Sequence, residues 1–123
     1  MAKKITYSQI EEMLYFSLKE SIEFAKTSKE NYGVSKGGVE DKLMKTYPIS
    51  KSLAASVHRP VFWHLSNEKL IVFDGCDKFF LSDEAKNLNN EDLKAAAKLV
   101  MKKYYDEHKY LKANFENEGY EIQ

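Results

Sequence analysis

Between Pro60 and Ser82 the chain carries its densest run of strand-forming residues. Val61-Phe62-Trp63-His64-Leu65, Leu70-Ile71-Val72-Phe73 and Lys78-Phe79-Phe80-Leu81 are rich in β-branched and aromatic side chains. Ser66-Asn67-Glu68-Lys69 and Asp74-Gly75-Cys76-Asp77 separate them with turn-forming residues. The pattern predicts a three-stranded antiparallel meander over about residues 61–81. A two-residue turn at Asn67-Glu68 would pair Leu65 with Leu70, Trp63 with Val72 and Phe62 with Phe73. The next turn would set Phe79 beside Val72 and Leu81 beside Leu70. One face then holds Trp63, Leu65, Leu70, Val72, Phe79 and Leu81, and the other Phe62, His64, Ile71, Phe73 and Phe80. Both faces are apolar, unlike a meander with one side in water. Either helices sandwich the sheet, or its second face receives another molecule.

Helical periodicity flanks this region. Thr6 with Gln9, and Ser8 with Glu11, form overlapping capping boxes. Behind them Ile10, Met13, Leu14, Leu18, Ile22 and Ala25 recur at steps of three and four, which predicts a long amphipathic helix ending near Gly33. A glycine-rich connector, Gly33-Val34-Ser35-Lys36-Gly37-Gly38, leads to a short helix over 39–46 with Val39, Leu43 and Met44 inward. A second short helix over Leu53–Val57 ends at Pro60. Asn90 would cap one long C-terminal helix with Leu93, Ala96, Ala97, Val100, Tyr104, Leu111 and Phe115 on its inner stripe. Gly119 closes it, and Tyr120–Ile122 would add an edge strand. The fold class expected is therefore α+β: a long N-terminal helix, short helices, the meander and a long C-terminal helix in one domain of 123 residues.

Charge narrows the function classes. Nineteen basic side chains balance nineteen acidic ones, and Arg59 is the single arginine beside eighteen lysines. Duplex readers ordinarily carry a net basic face and use arginine forks, so this balance disfavours dedicated duplex binding. The start Met1-Ala2-Lys3-Lys4-Ile5 turns amphipathic at once, without the apolar run of a signal peptide, and no stretch approaches the ~18–20 apolar residues of a membrane span. With one cysteine, Cys76, no internal disulfide can form. These features point to the cytoplasm.

No stretch reads as a catalytic, metal or nucleotide signature. His58, Asp74, Cys76 and Asp77 would converge if the meander forms, but their spacing matches no common zinc pattern, and Asp-Gly-Cys-Asp is ordinary turn chemistry. Cys76 beside His58 lacks a legible orienting group and oxyanion donors. The Gly33–Gly38 stretch lacks the Walker order, in which Gly-Lys-Ser/Thr opens a helix after a strand. No catalytic residue, metal or cofactor is expected.

Two surfaces stand out instead. Phe62, His64 and Phe73 on the second sheet face, with Arg59, form a candidate protein-binding set, because exposed aromatics and arginine anchor interfaces. Lys102, Lys103, Tyr105 and Lys109 give the last helix a basic, aromatic character suited to single-stranded nucleic acid. Acidic Asp106, Glu107, Glu116 and Glu118 dilute it. The first set leads: a small non-enzymatic binding or regulatory module, of the kind phages and mobile elements use as inhibitors or adaptors. Nucleic-acid association, a structural role in a virion or homo-oligomer, and a small metal- or cysteine-dependent enzyme are the alternatives, in falling order.

Overall fold

Thr6 and Gln9 make the reciprocal cap that opens the first helix: the Thr6 N–H donates to Gln9 Oε1 at 2.8 Å and the Gln9 N–H to Thr6 Oγ1 at 3.1 Å. The computed structural model describes residues 3–27, 38–73 and 79–123. In chain order they form β1 (Lys3–Ile5), α1 (Tyr7–Thr27), α2 (Gly38–Thr46), α3 (Lys51–Asn67), β2 (Ile71–Phe73), β3 (Phe79–Leu81), α4 (Asp83–Lys86), α5 (Asn90–Met101), a π-helical segment (Lys102–Glu107), α6 (Tyr110–Asn117) and β4 (Tyr120–Ile122). Helix dominates and the strands are three-residue pieces, so the described residues form a helical fold and not the expected α+β one.

Helix α1 is the spine of the core. Its stripe Ile10, Leu14 and Leu18 is fully buried, and it packs on α2, α3 and α5. Val39 and Leu43 enter the same core from α2, whereas Met44 stays 38% exposed against the expected inward position. The expected helix end at Gly33 lies outside the described residues.

The meander does not form. Val61–Leu65 belong to α3, a 17-residue helix that runs through Pro60. Ser50 caps it by accepting from the Leu53 N–H at 3.1 Å. Proline inside a helix removes one backbone bond and costs ~3 kcal/mol. Here Leu53, Ala54, Val57, Val61 and Leu65, at steps of one to four, are all buried on one side. Burying such side chains is worth ~1.5–3 kcal/mol each, which outweighs the proline. Tertiary packing thus overrides the strand propensity of Val-Phe-Trp.

What remains of the sheet is one antiparallel pair, Ile71 opposite Leu81 and Phe73 opposite Phe79. Its register lies one residue away from the expected pairing of Phe79 with Val72. Its connecting turn lies outside the described residues.

The long C-terminal helix is also broken. Asn89, not Asn90, caps α5, in a box with Asp92. Beyond Met101 the chain widens into the π-helical segment, where the His108 N–H reaches the Lys103 carbonyl at 3.0 Å. Lys109 then takes a left-handed backbone, φ 59°, and α6 begins. Leu93, Ala97, Val100, Tyr104, Leu111 and Phe115 all face the core across this break. Gly119, at φ +88°, turns α6 into β4. The expected final strand finds its partner at the other end of the chain: β4 pairs with β1 in parallel, Lys3 opposite Tyr120 and Ile5 opposite Ile122.

Candidate interaction face

The broken C-terminal helix lies against the outer side of α3, and the two build an aromatic cluster there. The Trp63 ring sits 5.6 Å from Tyr104 and 5.3 Å from Tyr110, both tilted. Tyr104 touches His108 at 6.0 Å, and the Lys103 ammonium lies 5.4 Å above the Tyr104 ring. Arg59, one helical turn before Trp63, donates to the Tyr110 hydroxyl at 3.5 Å. Tyr104 is buried beneath, while Trp63 keeps 38% of its surface exposed. A tryptophan wedged between tyrosines is held in place yet presented outward.

Around the helix from Trp63, the ends of α3 and α5 frame a cleft of about 250 Å³ lined by His64, Asn67, Glu68, Leu99, Lys102, Lys103 and Glu107. Burial in its wall lowers the His64 pKa below its ordinary value; Glu68 acts the opposite way, and Lys103 adds to the lowering.

The residues singled out from sequence are only partly gathered. Arg59 reaches Tyr110 beside Trp63, while His64, about 140° further around α3, meets Lys102 and Lys103 in the cleft, so one residue of the first expected surface joins two of the second. Phe62 turns about 160° away from His64 around the helix axis and packs near His58 at 6.4 Å. Tyr105 leaves the group, edge-on to Tyr7 at 4.9 Å. Lys109 is exposed at the joint before α6. The side chain of Phe73 lies outside the described residues, as do Asp74, Cys76 and Asp77. Of that fourfold set His58 alone is described. Among the described residues no three His, Cys, Asp or Glu side chains gather as metal ligands.

His58 has a different setting from the one expected. It is 3% exposed, and its Nδ1 shares a hydrogen bond of 2.9 Å with Ser17 Oγ on α1. Ser21 donates to the Ser17 carbonyl at 2.7 Å. A serine beside a histidine has the composition of an activated nucleophile. Ser17, however, is 0% exposed, so no substrate reaches it in this arrangement. The pair is a satisfied polar seam between two core helices.

Sequence reasoning passed over Leu99, the Ser17–Ser21 step and the stacking of Trp63. Each had a signal: Leu99 falls off the Leu93–Ala97–Val100 stripe, Trp63 falls off the Val57–Val61–Leu65 stripe, and the two serines fall on the inward stripe of α1.

A wider groove of about 400 Å³ runs between α1 and α5, lined by residues including Glu11, Glu12, Glu91, Lys94 and Lys98. Glu91 and Lys94 already pair there at 3.7 Å, and none of the strongly exposed apolar side chains lines it. No helix among the described residues is long and apolar enough to cross a membrane. No protein-family model matches the chain, and no curated protein or solved structure matches it either.

Proposed function

We propose that this chain is a small non-enzymatic protein-binding module that regulates its partner by contact, as an inhibitor or adaptor of a phage or mobile element would. The observation that carries it is Trp63, exposed yet buttressed by Tyr104 and Tyr110 and bordered by Arg59. Tryptophan, tyrosine and arginine are the residues most enriched among interface hot spots, and a pre-packed ring loses little freedom on binding. The π-helical turn and the left-handed Lys109 beside it are the local irregularities that accompany functional sites more often than chance. A cytoplasmic setting suits a chain with one cysteine.

A protein partner fits better than nucleic acid. The rings are tilted against one another rather than laid open as a stacking platform, and Tyr105 is engaged with Tyr7. The test is affinity capture from the source cells with the wild-type chain, Trp63→Ala and Arg59→Ala in parallel, followed by calorimetry with the purified partner. The wild type should capture a protein that Trp63→Ala binds at least about tenfold more weakly. Identical captures by all three baits, or a complex that dissolves under nuclease, would overturn the reading.

A further inference from the structure

The cleft beside the aromatic cluster has an occupant suggested by its own composition. Leu99, at its rim, is 59% exposed, the largest exposure of any bulky apolar side chain among the described residues. Four charged groups surround it, Lys102 and Lys103 against Glu68 and Glu107. Four ion pairs form elsewhere among the described residues, Lys26 with Glu23, Lys42 with Glu20, Lys86 with Asp83 and Lys94 with Glu91, and none of them lies in this cleft. Around Leu99, among the described residues, none of the four has an opposite charge within 4.0 Å. An apolar centre ringed by equal numbers of unpaired positive and negative groups matches neither a strongly acidic nor a strongly basic partner. It does match its own image. In a two-fold interface each residue of one copy meets its counterpart set on the other, so a neutral, mixed patch is complementary to itself. The chain as a whole, with nineteen charges of each sign, adds no long-range repulsion between copies.

We propose that this cleft is the seat of a two-fold homodimer, in which Leu99 side chains pack together and Lys102 and Lys103 of each copy face the partner's Glu68 and Glu107. This goes beyond the binding-module reading, since it needs no foreign partner and centres on Leu99 rather than Trp63. The cleft alone is smaller than the ~800 Å² per side of a standard interface, so the dimer should dissociate in the micromolar range or above. Its ion pairs sit at a wet rim and should weaken with salt.

Sedimentation equilibrium of the full chain at low salt, from about 1 µM to about 500 µM, reads the association directly. The wild type should pass from monomer to dimer across that range, and Leu99→Asp should stay monomeric throughout. The double variants Lys102→Glu/Lys103→Glu and Glu68→Lys/Glu107→Lys should each be monomeric alone and should form a heterodimer when mixed. All five positions are exposed, so circular dichroism should show each variant folded; should Leu99→Asp unfold, the mixing experiment decides. A wild type that stays monomeric at about 500 µM overturns the proposal, as does a dimer that survives both charge reversals.

Discussion

Helix α3 has two sides that obey different rules. Toward α1 it presents Leu53, Val57, His58, Val61 and Leu65, all buried, and its one titratable group there is bonded to Ser17. Among the described residues no buried side-chain nitrogen or oxygen lacks a partner. Away from α1 it presents Arg59 and Trp63, with His64 at the margin, to a half-open surface with exposed aromatic and apolar area and charges left unpaired. The inner side satisfies every group because an unsatisfied one would cost ~1–3 kcal/mol there. The outer side carries no such penalty, and what it leaves unsatisfied is available to another molecule. The proposals above rest on that asymmetry.

Two neighbours on α3, one from each side, should differ most in what their removal costs. Leu65→Ala should cost ~2–5 kcal/mol, because Leu65 is 1% exposed and its removal leaves a cavity in the core. Trp63→Ala should cost only ~1–2 kcal/mol despite the larger side chain, because over a third of the residue's surface is already in water. Urea denaturation measures both. Equal losses would mean that Trp63 belongs to the core and is no free anchor.

Next in size is the polar seam. Ser17→Ala removes a hydrogen bond from a buried histidine and should cost ~1–3 kcal/mol, although the residue lost is small and the site keeps its shape. A loss below ~0.5 kcal/mol would show that His58 does not rely on Ser17. The inner side of α3 would then be less constrained than its geometry states.

The same two sides explain what could be read in advance. The stripes of α1 and of the C-terminal helices were legible because burial repeats there at three and four residues, and the Thr6–Gln9 cap announces itself. Val61-Phe62-Trp63-His64-Leu65 misled because its residues favour strands locally, and because Pro60 looks like a stop. The evidence for helix lay outside that run, in the spacing of Leu53, Val57, Val61 and Leu65 across the proline. The break after Met101 had no sequence mark. The inward spacing continues across it, and Lys109 sits where a left-handed turn would ordinarily show glycine. Of the candidate site, His64 was singled out for the wrong structural reason, as a member of a sheet face, and Arg59 as its neighbour before Pro60. The grouping with Trp63, Leu99 and Lys103 depends on α3 meeting a distant helix, which no local pattern records.

A smaller effect bears on that joint. Lys109 and Lys69 both hold left-handed backbones, φ 59° and 57°. Lys109→Gly and Lys69→Gly should each be neutral to stabilising, by up to ~1 kcal/mol, as relief of backbone strain offsets the greater freedom of glycine in the unfolded chain. Thermal melts would show it. A clear loss at Lys109 alone would mean that its side chain holds the outer face together, which sharpens the contrast between the two sides.

The smallest effect concerns His64, which stands at the margin between them. Burial in the cleft holds its folded pKa below the ordinary value of about 6.5, with Lys103 acting the same way and Glu68 opposing. Above about pH 6.5 the ring is neutral in both folded and unfolded chains and contributes nothing to pH dependence. As pH falls through that value the unfolded chain takes up a proton that the folded chain resists, so stability declines until the folded ring protonates too. Lys102 and Glu107 line the same cleft, and Gln in place of His64 leaves them and Glu68 unchanged. The stability of His64→Gln relative to wild type should therefore rise as pH is lowered from about 8 to about 5, by a margin set by how dry the cleft is. A gap that stays flat would place His64 wholly on the wet side of α3. A gap that widens with protein concentration as well would tie the drying of His64 to closure of the cleft by a second copy.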